Sequence, residues 1–126
     1  MKGKSEMHQD AFLVEKLCLA GSISILEQPE VLTGRIRQDF NMGEGEAATI
    51  AVAIREQAIA ATDNRQGRKA AAINHIPLVG SPEIIVGLFK KKKIGREKAL
   101  AAVKSLKKEG WFDHHLIEKT MEDLYE

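Results

Sequence analysis

Gly43-Glu-Gly-Glu-Ala-Ala-Thr-Ile-Ala-Val-Ala-Ile-Arg-Glu56, followed after Gln57 by Ala58-Ile-Ala-Ala-Thr62 and Asp63-Asn64, is the stretch on which the fold turns. Ala47, Ala51, Ile54 and Ala58 recur at helical spacing, so the first part reads as an amphipathic helix. Its buried face is small enough to pack closely on a sheet. The run 58–62 is short and apolar, and Asp63-Asn64 closes it with turn chemistry, as at a strand exit. A helix feeding a short apolar strand is a building unit of α/β proteins with parallel sheets.

The same alternation extends both ways. Upstream, Asp10 is placed to cap a helix to about Ala20 that buries Phe12, Leu13, Leu17 and Cys18. Residues 1–9 read as a disordered lead, and 10–126 as one domain. Gly21 ends the helix, and Ser22-Ile-Ser-Ile-Leu26 alternates polar and apolar as a short strand does. Pro29 breaks that run, and a weaker helix is expected from Glu30 to about Phe40. Downstream, Arg65 to Ile73 reads as a helix and Ile76 to Gly80 as a strand that Pro77 marks as an edge or a start. Ser81 as N-cap and Pro82 as first helical residue open a helix with Ile84, Ile85, Leu88 and Phe89 as its stripe. After Gly95 a helix turns Ala99, Leu100, Val103 and Leu106 inward. Asp113 caps a last one carrying Ile117, Met121, Leu124 and Tyr125. The expected order is α-β-α-α-β-α-β-α-α-α, an α/β fold with a short parallel sheet covered by helices and a helical C-terminal extension.

Composition narrows the function classes. Nineteen basic and eighteen acidic side chains nearly cancel over 126 residues, so a nucleic-acid surface would have to be a local patch. A single cysteine, Cys18, excludes an intramolecular disulfide and suits a reducing compartment. The polar N-terminus has no signal-peptide h-region, and no apolar run reaches the ~20 residues of a membrane-spanning helix, so a cytoplasmic protein is expected.

Three carboxylates carry the chemical interest. Asp63 leaves the carboxyl end of an expected parallel strand, where open α/β sheets place their ligands. Glu44 and Glu46 open the helix that feeds that strand, and an antiparallel covering helix brings its N-terminus to the same end. The three are therefore expected to converge, as clustered carboxylates do around Mg²⁺ or Mn²⁺, which activates water and stabilises charge on a phosphodiester. The plain structural alternative stays open: glutamates in a first helical turn favour the helix dipole, and Asp-Asn is ordinary turn chemistry. Glu44 and Glu46 lie about 200° apart on a helical wheel, which does not choose between them.

The stretches Gly43–Ala53 and Ile59–Lys69, with Val79-Gly-Ser81, Gly110-Trp111-Phe112 and Leu124-Tyr125, resemble PIN-domain proteins from about residue 10 to the end. The nearest resemblance is to a prokaryotic subfamily with a Gly-Glu-x-Glu-Ala helix. It implies a metal-dependent ribonuclease, often the toxin of a toxin–antitoxin pair, that cuts RNA with acidic residues around Mg²⁺ or Mn²⁺. By motif, Glu46 and Asp63 match the family's acids, Asn64 is the alternative to Asp63, and Glu44 is an auxiliary ligand. Arg65, Arg68 and Lys69 are the candidates for phosphate contact. The implied partners are RNA and an antitoxin protein. The family pattern also has an earlier strand with an essential aspartate, which nothing before Asp10 matches. Two expectations follow: catalysis is incomplete, and the missing sheet pairing is made up either by strands 22–26 and 58–62 pairing directly or by a second copy or another chain, so that a homo-oligomer, swapped in form, is expected. The alternative function is a non-catalytic oligomerising or binding module.

Other features read as structural. Lys90–Lys93, Arg96 and Lys98 make a basic patch that suits a solvated helix end better than a phosphate track. The neighbours His114 and His115 point about 100° apart on a helix and lack spaced Cys or His partners for zinc. Trp111 and Phe112 read as core anchors, and no P-loop is present.

Overall fold

The computed structural model describes residues 2–110 and 112–126, with side chains from residue 9 onward; Trp111 therefore lies outside the described residues. These residues form α1 (Lys2–Leu19), α2 (Glu30–Phe40), α3 (Glu44–Glu56), β1 (Ala60–Ala61), α4 (Arg65–Ile73), β2 (Leu78–Val79), α5 (Ser81–Lys90), α6 (Arg96–Glu109) and α7 (His114–Asp123). The α/β reading holds, in a mostly helical form. β1 and β2 pair in parallel, Ala60 opposite Leu78 and Ala61 opposite Val79, with α4 as the crossover.

Two apolar clusters hold the chain together. In the first, Ile36 and Met42 meet Ala47, Ile50, Ala51 and Ala53 of α3, closed by Ala60 and by Ala70 and Ala71 of α4. Alanines on α3 and α4 let these helices approach the strand closely, as the Gly43–Glu56 spacing implies. In the second, Ala99 and Val103 of α6 pack with Ile117 and Leu124, and Ile85, Phe89 and Phe112 lean on them. Caps set several boundaries. The Asn64 side chain accepts from the Gly67 amide at 2.8 Å to start α4, and Asp113 accepts from the His115 amide at 2.8 Å to start α7. Gln57 takes a left-handed conformation (φ 53°) that ends α3, which leaves Ala58 exposed rather than on the buried stripe.

Five expectations change. The first helix starts at Lys2, not after Asp10, and so takes in most of the stretch read as a disordered lead. Its Phe12 and Leu13 are exposed, Phe12 by 62%, because no described element covers that face. Ser22–Leu26 alternates as a strand should, yet carries no ladder: a strand exists only where a neighbour accepts its hydrogen bonds, and among the described residues none does so here. On α5, Gly80 stands at the cap position and Ser81 is the first helical residue, its hydroxyl engaged elsewhere. Tyr125, read as inward, is 65% exposed. It still does structural work: the Arg96 guanidinium sits 5.6 Å from its ring and 5.3 Å from that of Phe89, while Arg96 Nε donates to the Leu124 carbonyl at 2.7 Å.

Candidate functional site at the strand ends

The parallel pair brings the carboxyl ends of β1 and β2 side by side, and a cleft of about 190 Å³ opens there between Thr62, Asp63, Gly80 and Ser81. Asp63 leaves β1 and is met by the residue that starts α5. Its Oδ1 accepts from the Ser81 amide at 2.6 Å, and its Oδ2 accepts from the Ser81 hydroxyl. The helix N-terminus thus presents its positive end and its first side chain to one carboxylate. Asn64 turns away: its amide donates to Thr62 Oγ1 at 3.1 Å, and its side-chain oxygen is spent on capping α4.

Gly80 makes this arrangement possible. A Cβ there would run into the Arg68 Nη2 and lie 2.6 Å from Asp63 Oδ1 and 3.1 Å from the Thr62 carbonyl oxygen. Arg68 reaches the cleft from α4 and is held by Glu83 of α5 in a two-pronged ion pair, Nη1 to Oε1 at 2.7 Å and Nη2 to Oε2 at 3.1 Å. Glu83 Oε2 also accepts from the Gly80 amide at 3.1 Å. Burial alone would push the Glu83 carboxyl up, but the hydrogen bonds from Arg68 and the backbone amides outweigh it and hold the carboxyl below the usual range. The hydrogen bond to Glu83 and its negative charge, with a smaller share from Asp63, raise the Arg68 pKa further.

The expected convergence of carboxylates is not what the chain forms. Glu46 folds back over Gly43, where a Cβ would collide with its Oε2, and Glu44 is exposed; neither lines the cleft at Asp63. Among the described residues no group of three His, Cys, Asp or Glu side chains is placed to hold a metal ion. Asp63 instead takes its donors from Ser81 at the start of α5. Of the basic candidates, Arg68 is committed to Glu83, while Arg65 and Lys69 lie on the exposed side of α4. The Arg68–Glu83 bridge and the Asp63–Ser81 clasp were not foreseen in the sequence. The one available signal was Ser81-Pro-Glu83 at a helix start, where a glutamate at the third position reaches back to the cap amide.

A family model described as DUF3368, PIN domain, matches residues 1–126. The chain belongs to this PIN-domain family. No curated protein and no solved structure matches it. Among the described residues, no helix is long and apolar enough to cross a membrane.

Proposed function

We propose that the protein is a nucleic-acid-associated member of the PIN family, related to metal-dependent ribonucleases of toxin–antitoxin type, whose strand-end site is catalytically incomplete in the single chain. Family membership supports the lineage. The observation that carries the incompleteness is Asp63 itself. It is the only carboxylate lining the cleft among the described residues, and both its oxygens are engaged by Ser81. Mg²⁺ asks for near-octahedral oxygen ligation through one or two carboxylates with waters and substrate phosphates. Asp63, Glu44, Glu46 and Asn64 as arranged do not fit that demand, so no catalytic step is drawn through a metal. In this reading RNA contact falls to Arg65, Arg68 and Lys69 of α4, and an antitoxin-like protein is the accompanying partner.

The test is cleavage of a mixed RNA substrate with Mg²⁺ or Mn²⁺ by the wild type beside Asp63→Ala and Glu46→Ala. The expected result is no metal-dependent cleavage that separates the three. Cleavage by the wild type that both variants abolish would overturn the reading and make the protein an active ribonuclease. A second reading, an assembly module, draws on a different observation, the unpaired outer edge of β1.

A further inference from the structure

β1 is paired on one side only. The Ala60 amide donates to the Pro77 carbonyl at 2.9 Å and the Thr62 amide to the Val79 carbonyl at 3.0 Å. Alternate residues of a strand turn their polar groups to opposite edges, so Ile59 and Ala61 direct theirs away from β2, and neither makes a backbone bond there among the described residues. That edge faces a groove of about 820 Å³. Ala48, Val52, Ala53 and Ile59 form one wall and floor, and Ile23 and Leu26 form the other; no charged side chain is among the described residues that line it.

The segment beyond the groove is the complement of that edge. Among the described residues, 24–28 make no backbone–backbone hydrogen bond, and Arg55 Nη1 donates to the Glu27 carbonyl at 2.6 Å. Ile25 is 86% exposed and Ile59, on the open edge, is 63% exposed. Among the described residues there is thus a strand edge without a strand, and a strand-patterned segment, Ser22–Leu26, without a ladder. A two-stranded sheet is marginal alone, and an unpaired edge above an apolar groove is a template for strand addition.

We infer that two copies of this chain complete each other's sheet, the Ser22–Leu26 segment of each entering the groove beside β1 of the other. The exchange is reciprocal, so it closes as a two-fold dimer without leaving a further donor free. The strand order becomes β2, β1, the second copy's segment, the first copy's segment, then β1 and β2 of the second copy. The occupant is a second copy because the chain itself carries a matching donor: alternating, uncharged, with Ile25 outward, facing an uncharged groove floored by alanines. This inference stands on the open edge, not on Asp63, so it survives or fails independently of the nuclease question.

The experiment is light scattering on the whole chain eluting from gel filtration at micromolar concentration, for the wild type, Ile25→Lys and Ile59→Lys. Both side chains are mostly exposed within one chain, so the substitutions remove little packing, and far-UV circular dichroism verifies that the helices persist. The expected result is a two-chain mass for the wild type and a one-chain mass for both variants. A wild type of one-chain mass would overturn the inference, including one whose segment closes onto its own β1 or whose groove takes up a different strand. So would a dimer that persists in either variant.

Discussion

Asp63 shows how much a single side chain does here. It accepts two hydrogen bonds from Ser81 and so ties the end of β1 to the start of α5. Asp63→Ala is expected to lower unfolding free energy by about 1–3 kcal/mol in urea melts, since it leaves the Ser81 donors without their acceptor. Ser81→Ala, which keeps the amide bond, is expected to cost less. Glu83 adds a pH dependence. Its folded pKa is depressed, so its contribution is fully present above the unfolded carboxyl value and is lost as pH falls through the lower folded one. The stability advantage of the wild type over Glu83→Gln should therefore shrink between about pH 6 and about pH 3. An advantage unchanged over that range would mean that the Arg68–Glu83 pair does not govern the coupling.

Elements were legible where local pattern and tertiary partner agreed. The alanine-lined face of α3, the Asp113 cap and the parallel exit at Asp63 could be read because their signals are short-range and the core rewards them. Ser22–Leu26 misled because alternation records a propensity, whereas a ladder needs a neighbour that periodicity does not supply. The carboxylate cluster misled for a related reason. Helix-end geometry brings Glu46 to the correct end of α3 but does not dictate its rotamer, and the nearby Gly43 leaves room for it to fold back. Nor could pattern foresee that Arg68 would be taken by Glu83, fifteen residues on. Within α2, Thr33 buries its hydroxyl without a hydrogen-bond partner among the described residues. Thr33→Val, equal in shape and free of that unmet group, is expected to raise stability by up to about 1 kcal/mol by thermal melting, against the usual loss for a core change.

At the scale of the whole molecule, a PIN-family chain presents a strand-end cleft with one clasped aspartate and, on the other side of β1, an edge with no strand against it among the described residues. The first feature argues against cation chemistry in the isolated chain; the second argues for assembly. Mn²⁺ titration by calorimetry tests the central claim most directly, with the wild type run beside Asp63→Ala and Glu46→Ala. The account predicts no saturable heat in any of the three at micromolar protein. Stoichiometric Mn²⁺ binding by the wild type that disappears in both variants would contradict it, because Glu46 and Asp63 would then have to meet at one ion.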